Sequence, residues 1–369
     1  MRVGIALLRW FPHGGAQRDA LMIARACRAA GHEVVFFVRR WDGPAPFPVR
    51  RLAVGGWTNH GRVRRFAAAL ARQRDHDPVD VMLGFERMPG LDAWFAADPC
   101  FRERLAREPL LAWTPRGRTY ARFERAVAAP SSPTRLLLLD PRQRAVFRRH
   151  YETPPERMVD LPPGIAEDRR PGLDADARRR AGRRALGVGE DRLLLMLGSD
   201  FRRKGVDRTL RAMAALPPAL RSRTRLLVAG ADAARPWRRH ARRLGLADRV
   251  TIEGGRDDVV TLLLAADLLL HPARVENTGT VLVEALAAGL PVLCTGACGH
   301  ARHVVAAQAG VVLEEPFSQP ALDRALAALL ASNLSVLRQA ARTWAAAADL
   351  SGMHAQVVRE LEAIEAARR

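Results

Sequence analysis

The sequence predicts an α/β fold made of two doubly wound parallel-sheet domains, and three observations carry that prediction. Short apolar runs that end in glycine- or proline-bearing loops alternate with helical patterns, the βαβ order that gives a parallel sheet with right-handed crossovers. The chain has 369 residues, more than one core usually holds, and 48% of them are hydrophobic, enough to fill two. Between residues 162 and 184 the periodic pattern gives way to proline, glycine and dense charge, the composition of a joint. The expected domains are 1–166 and 167–349, with a last helix over 350–369 packing back on the first.

Residues 2–8 are apolar and partly β-branched, a strand broken by Arg9, Trp10, Phe11 and Pro12. Gly14 and Gly15 follow, then a helix over 16–30 with Leu21, Ile23, Ala24 and Cys27 at near-helical spacing, a stop at Gly31, and a buried strand over 34–38. The glycine pair lets a ligand approach the backbone closely. It is not Gly-x-Gly-x-x-Gly, and no acidic residue ends the strand over 34–38, which argues against a nicotinamide dinucleotide. Residues 57–62, Trp-Thr-Asn-His-Gly-Arg, read equally as a ligand-binding loop and as a capped turn before a helix over 62–73. A strand over 79–85 comes next, and Asp98, a carboxylate after an apolar stretch, is a candidate for orienting a substrate hydroxyl. Over 101–130, Arg102, Arg104, Arg107, Arg116, Arg118, Arg122 and Arg125 are interleaved with leucines and aromatics. That mixture suits an anionic membrane surface, where each basic residue gains about 1 kcal/mol near the headgroups. A solvated helix pair with its apolar side chains on the core competes with this, and Glu103, Glu108 and Glu124 favour it in part. A strand over 134–139, a helix over 141–150 and a short strand over 157–161 complete the first domain.

The second domain opens with a strand over 193–198, after which Arg203 and Lys204 stand where strand passes into helix. Ligands bind at the carboxyl edge of such strands, so these cations would face a diphosphate. Of 59 basic residues Lys204 alone is a lysine, which suits a position where a compact ammonium is wanted rather than a planar guanidinium. Strands over 225–230 and 249–253 follow, the latter ending in Gly254, Gly255 and Arg256. The stretch from His271 to Thr295, preceded by the apolar run Asp267 to Leu270, reads as strand, loop, helix, turn, strand. Asn277 or Thr278 can cap a helix over 281–288 that Gly289 and Pro291 terminate. The free N–H groups and positive dipole end of that helix, roughly half a charge, make an anion site that fits a phosphate. Glu276 and Glu284 flank it, as carboxylates would if they held sugar hydroxyls; an ordinary capped helix with a solvated glutamate accounts for the spacing alone equally well. A strand over 310–313 and a helical tail over 321–369, broken at Leu350, Ser351 and Gly352, close the chain.

A net charge of +20 implies an anionic partner, whether nucleic acid, membrane or acidic substrate. The chain lacks RNA-recognition aromatics, helix-turn-helix punctuation and zinc spacing, so a nucleic acid is not the expected partner. Cys27, Cys100, Cys294 and Cys298 sit mostly in apolar segments and read as free thiols. His300 and His303 lack a third ligand nearby, and Asp75-x-Asp77 and Asp174-x-Asp176 read as solvated loops, so neither a metal nor another cofactor is expected. No apolar run is long enough to span a bilayer and the first residues do not read as a signal peptide, so the expected location is cytoplasmic.

Several motifs together carry a resemblance. Phe-Pro-x-Gly-Gly-x-Gln-Arg-Asp at 11–19, Thr-Asn-His-Gly-Arg at 58–62, Met-Pro-Gly-Leu-Asp at 88–92, Gly-Ser-Asp-Phe-x-Arg-Lys-Gly-Val-Asp-Arg at 198–208 and Ala-Ala-Asp-Leu-Leu-Leu-His-Pro-Ala at 265–273 resemble the heptosyl glucosyltransferases of the lipopolysaccharide core. These are retaining transferases of the GT-B fold, family 4, and only the Glu-x7-Glu and Arg-Lys elements are general to the wider superfamily. The resemblance implies two Rossmann-like domains facing across a cleft, the first for the acceptor and the second for the nucleotide sugar. It implies transfer of glucose from UDP-glucose to the inner-core heptose, with retention and without metal. Arg203 and Lys204 would neutralise the leaving UDP, helped by N–H groups at Thr278, Gly279 and Thr280. Glu276 would hold the transferred sugar and Glu284 the ribose, with Gly198, Arg169, Arg256 and Asn277 also on the donor side. Gly14, Gly15 and Asp19, the last on the first turn of its helix, would approach from the first domain, and Asp98 would meet the acceptor. A front-face displacement uses no enzyme nucleophile. Asn277 and Thr278 stand where small residues are usual, which leaves UDP-galactose or a UDP-N-acetylhexosamine open as donor. The implied setting is the inner face of a bacterial inner membrane, held peripherally through 101–130.

Overall fold

Leucine-rich and β-branched runs cannot leave their backbone groups unpaired once buried, and helices between them force neighbouring runs to pair in one direction. A computed structural model, which describes residues 1–12 and 14–369, contains this arrangement twice. Met1–Pro162 with Ser351–Arg369 form one compact unit and Pro163–Leu350 the other. The first contains β1 (Arg2–Trp10), α1 (Gly15–Ala29), β2 (Glu33–Trp41), β3 (Val49–Arg51), α2 (Asn59–His76), β4 (Val81–Gly84), β5 (Ala93–Ala96), α3 (Phe101–Arg107), α4 (Pro109–Ala112), α5 (Pro115–Ala128), β6 (Arg135–Leu138), α6 (Arg142–Tyr151) and β7 (Met158–Asp160). The second runs through α7 (Ala175–Ala185), β8 (Arg192–Leu197), α8 (Phe201–Lys204), α9 (Val206–Ala214), α10 (Pro218–Arg221), β9 (Thr224–Ala229), α11 (Ala234–Arg243), β10 (Val250–Glu253), α12 (Val259–Ala265) and β11 (Leu268–His271). It continues with α13 (Thr280–Ala287), β12 (Val292–Thr295), α14 (Ala301–Ala306), β13 (Gly310–Leu313), α15 (Gln319–Ala331) and α16 (Leu334–Ala347), after which α17 (Gly352–Ala366) belongs to the first unit.

Each unit is built on one sheet, ordered β3-β2-β1-β4-β5-β6-β7 in the first and β10-β9-β8-β11-β12-β13 in the second, with parallel pairing. The strand order reverses between β1 and β4 and again between β8 and β11, and the crevice at such a reversal is where open parallel sheets take ligands.

Alternation along the strands feeds two cores per unit. In β1, Val3, Ile5 and Leu7 meet Ile23 and Cys27 of α1 and Val357 and Leu361 of α17, whereas Ala6 faces the layer holding Phe66, Phe123 and Phe147. In β11, Leu269 joins the layer of Leu282, Val304 and Ala341, while Leu268 and Leu270 join Leu210, Met213 and Leu322. Each fully buried side chain of this kind contributes roughly 1.5–3 kcal/mol. Polar pairs fasten α17 further: His32 Nε2 lies 2.8 Å from Glu362 and Arg135 Nη1 2.6 Å from Glu360.

Several local readings need correction. The charged run over 167–184 is not all joint, because its second half is α7. Its alanines and arginines favour helix, and Arg179 and Arg183 reach the buried carboxylate of Asp267 at 2.7 and 2.9 Å. Asp174 and Asp176 lie at the start of that helix, Asp75 lies within α2, and Asp77 pairs with Arg2 at 2.6 Å and Arg50 at 2.8 Å, so neither aspartate pair is a solvated loop. β2 runs on to Trp41 and is followed by an acidic residue after all; Asp42 is engaged by Arg9 and Arg40 at 2.8 and 2.6 Å. Residues 101–130 hold three helices, α3, α4 and α5, rather than a pair. The tail has a second break at Ser332 and Asn333, where the asparagine side chain caps α16.

Candidate active site

The reversal between β8 and β11 gathers most of the residues singled out in the second unit. Gly198 follows the end of β8, where a Cβ would stand 3.3 Å from Cε of the Lys204 side chain. Asp200 caps the single turn α8, its carboxylate accepting the Arg203 N–H at 3.3 Å. Gly205 ends that turn at φ 83, and a Cβ there would stand 2.2 Å from the Pro272 carbonyl oxygen, so only glycine lets the turn sit against the loop after β11. The guanidinium of Arg274 grips both oxygens of Asp207 at 2.8 Å, and the Arg274 N–H donates to the Arg203 carbonyl at 2.8 Å. The cationic turn and the acidic loop are thus fastened to each other.

Within that frame the ammonium of Lys204 is bonded to Glu276 Oε2. The lysine side chain is 12% exposed and the glutamate 9%, so the pair is nearly removed from water. His271, the last residue of β11 and fully buried, places Nε2 3.6 Å from the same oxygen. Burial opposes ionisation of Glu276, but His271 and the charge of Lys204 more than offset it and hold the carboxyl below the usual range. Burial acts on His271 in the same way and pushes its imidazole toward the neutral form. Arg203, beside this pair, is more open and lies 3.2 Å from Asp200. The result is a concentrated cation and a buried carboxylate at one strand edge, suited to a ligand that carries both anionic and hydroxyl groups.

The helix after this loop differs in its cap from the sequence reading. α13 begins at Thr280 with Gly279 as cap at φ 75 and no side-chain cap bond, so neither Asn277 nor Thr278 performs that role. The glycine takes a left-handed turn that a threonine would strain, and it brings no side chain of its own to the first-turn N–H groups. Glu284 is buried one turn in, Asn277 is buried beside Glu276, and the Thr278 carbonyl accepts from the His300 N–H at 2.8 Å. A backbone bridge from Glu276 to Cys298 and a bond from the Thr295 hydroxyl to the Ala273 carbonyl, 2.7 Å, pin the loop to the end of β12. Lys204, Glu276, His271 and the start of α13 therefore meet at one edge.

Other candidates belong to other elements of the second unit. Arg256 follows the edge strand β10 and is committed to Glu253 at 2.9 Å and Asp258 at 2.6 Å, which raise its pKa. Arg169 ends a short 3-10 turn ahead of α7. His300 and His303 pack as neighbouring rings 5.3 Å apart, with Trp344 at the same distance beyond, and burial pushes His303 down to about 4. Among the described residues no group of three or more His, Cys, Asp or Glu side chains is placed to hold a metal ion.

In the first unit Gly14 caps α1 and Gly15 begins it. Asp19 is past the first turn of that helix, not on it, with Oδ1 3.5 Å from His354 of α17. Asp98 is exposed and lies 3.6 Å from Arg87. Thr58 caps α2 by accepting the Gly61 N–H at 3.2 Å, so residues 57–62 include the capped turn. Sequence reasoning missed Glu86, at the β1–β4 reversal, where Oε1 accepts the Leu8 N–H at 2.9 Å and burial lifts the carboxyl to about 7. It also missed Glu124, fully buried, which accepts from Arg87, from the N–H groups of Phe101 and Arg102, and from the Tyr151 hydroxyl. A polar residue closing an apolar strand, as His271 does, was the available clue to the third missed residue.

Residues 179–349 match the family described as Glycosyl transferases group 1. The lipopolysaccharide glucosyltransferase WaaG of Escherichia coli K12 is 44% identical over 331 residues, covering 88% of either chain. A crystal structure of WaaG, a glycosyltransferase involved in lipopolysaccharide biosynthesis, matches with a TM-score of 0.93 at 41% identity, over 97% of this chain and 99% of that one. Anabaena HepE, crystallised with UDP-glucose, matches with a TM-score of 0.75 over 98% of this chain and 100% of its own; at 18% identity the likeness is one of fold.

Proposed function

The chain belongs to the group 1 glycosyltransferase family and has the GT-B fold, and on that premise we propose that it moves glucose from UDP-glucose to the inner-core heptose of lipopolysaccharide. The reaction retains the anomeric configuration and uses no metal ion. The observation that carries this reading is the meeting of the sole lysine with Glu276 at the β8–β11 reversal. As the sugar–phosphate bond breaks, negative charge grows on the diphosphate, and Lys204, Arg203 and the N–H groups at the start of α13 are there to receive it. Loss of one such fixed donor costs about 3–4 kcal/mol of barrier. Glu276 holds hydroxyls of the sugar and Glu284 those of the ribose. The acceptor hydroxyl attacks from the face the UDP leaves, so the enzyme supplies no nucleophile.

A second donor reading rests on Asn277, buried next to Glu276, whose amide would suit UDP-galactose or a UDP-N-acetylhexosamine. The acceptor is membrane-held, and the first unit offers a surface for that setting. Leu110 and Trp113 are 83% and 81% exposed, among the exposed Arg102, Arg104, Arg107, Arg116, Arg118, Arg122 and Arg125. Among the described residues no helix is long and apolar enough to cross a membrane; the attachment proposed through this surface is peripheral, to an anionic cytoplasmic leaflet.

The test is a transfer assay with UDP-glucose, UDP-galactose and UDP-N-acetylglucosamine on a heptose-ended core saccharide, with and without EDTA, on the parent protein and Lys204→Ala. Glucose should transfer with an α linkage in EDTA, and Lys204→Ala should lose roughly 10²–10³-fold in kcat. Transfer from no donor, or an unchanged rate in Lys204→Ala, would remove the proposal.

A further inference from the structure

His271 has no evident structural occupation. Its ring is fully buried at the end of β11, and neither ring nitrogen has a hydrogen-bond partner among the described residues. Buried polar groups in native proteins are nearly always paired, and an unpaired one calls for a reason. The polar group it faces is Glu276 Oε2, 3.6 Å from Nε2, the same oxygen that the ammonium of Lys204 occupies.

The proposed reaction asks Lys204 for a different partner. An ammonium drawn onto the diphosphate no longer holds the carboxylate at full strength, and Glu276 would then be a buried charge without its counter-ion. Such a charge is expensive unless another donor replaces the first. Asp200 and Asp207 cannot serve, being acceptors, and the guanidinium of Arg274 is held by both oxygens of Asp207. His271 is the donor at hand. A neutral imidazole has one N–H, and closing from 3.6 Å to a hydrogen bond of about 2.9 Å needs less than 1 Å of movement.

We propose that His271 is a positioning residue that takes over Glu276 when the diphosphate draws Lys204 away, so that the carboxylate stays ionised and aimed at the hydroxyls of the transferred sugar. His271 itself does not touch the substrate. The inference rests on the UDP-sugar reading above, and it predicts that the imidazole matters wherever a diphosphate engages Lys204, and most of all when the sugar that Glu276 holds is present.

The experiment compares UDP with UDP-glucose by calorimetric titration, alongside kcat and KM, for the parent, His271→Phe and His271→Gln. His271→Phe should bind UDP roughly several-fold more weakly than the parent, and should lose about tenfold or more in kcat and in its preference for UDP-glucose over UDP. His271→Gln carries an N–H near the Nε2 position and should recover most of both. Equal loss of UDP and UDP-glucose binding in His271→Phe, full activity in that variant, or failure of His271→Gln to recover would overturn the proposal. If His271→Phe does not fold, nitrogen-15 shifts of the parent protein's imidazole decide instead. Saturation with UDP-glucose should move Nε2 into the range of a strong donor, and an unmoved resonance counts against the hand-over. A parent protein that binds no UDP-sugar at all would instead sink the proposed reaction.

Discussion

The Lys204–Glu276 pair makes a quantitative demand on stability. Removing one member of a buried ion pair typically costs about 3–5 kcal/mol, because the other is left charged and unpaired. Lys204→Met strands a carboxylate that is 9% exposed, with His271 at 3.6 Å and the charge of the more open Arg203 as its remaining relief, so a loss of about 3 kcal/mol is expected. Glu276→Gln strands an ammonium on a flexible stem that can turn toward water, so about 1–2 kcal/mol is expected there. The double variant has no stranded charge, and the two losses should fail to add by about 2 kcal/mol. The pH dependence has a definite sign. In the parent, the depressed pKa of Glu276 contributes stability above the ordinary carboxyl range that is lost as pH falls through the folded value. In Lys204→Met the balance tips to burial, the folded pKa rises, and the native state binds the extra proton first. The deficit of Lys204→Met should therefore be largest at pH 8 and shrink toward pH 5. Two units need not unfold together, so the assay is hydrogen exchange read by mass spectrometry in peptides from β8 and β11 across a denaturant series. Additive losses, or a deficit that does not shrink with acid, would refute the reasoning.

Glu86, lifted to about 7 by burial, should make the parent less stable as pH rises from 5 to 8, by up to about 3 kcal/mol. Glu86→Gln keeps an acceptor for the Leu8 N–H and should gain on the parent only at the higher pH, as denaturation midpoints at the two pH values would tell; an equal gap at both refutes it. Gly205→Ala forces a left-handed alanine and a Cβ 2.2 Å from the Pro272 oxygen, so a loss of about 2 kcal/mol or more, with a fall in kcat, should be found by thermal unfolding and the transfer assay. Leu110→Ser with Trp113→Ser should weaken flotation with phosphatidylglycerol vesicles while leaving turnover of a soluble acceptor unchanged; undiminished flotation would remove the membrane role of α4.

The parallel-sheet architecture was legible because buried parallel strands advertise themselves as unbroken apolar runs, and Leu268 to Leu270 could hardly be anything else. Lys204 was legible through its rarity and Glu276 through its spacing to Glu284. What escaped depends on contacts between residues far apart in sequence. Nothing near Asp267 shows that Arg179, Arg183 and Arg338 converge on it from α7 and α16, so a helix full of arginine read as a joint. Glu124 counted as a solvated charge, yet it organises the start of α3 because the Phe101 and Arg102 N–H groups and Arg87 all aim at it. Asn277 looked like a cap by propensity, but glycine two residues on reaches the left-handed geometry more cheaply.

Why a chain so rich in arginine keeps a lysine at its reactive edge follows from what each group does here. Arg274 grips two oxygens of Asp207 at once, and Arg183 spans the Ala265 carbonyl, Asp267 and the backbone at Gly189. The planar fork fits such fixed clamps, and the same fixity makes it slow to trade one anion for another. Lys204 must do the reverse if it serves Glu276 in the empty site and a diphosphate in the loaded one, and a rotatable ammonium loses little geometry in the exchange. Lys204→Arg preserves the charge and tests this directly. It should keep UDP affinity within about tenfold, since the diphosphate accepts either cation, yet lose about tenfold or more in kcat because the larger fork stays engaged with Glu276 or crowds Gly198, where an added Cβ would already stand 3.3 Å from the Lys204 Cε. Parent-like turnover in Lys204→Arg would mean that positive charge alone suffices, and the partner exchange would lose its physical basis.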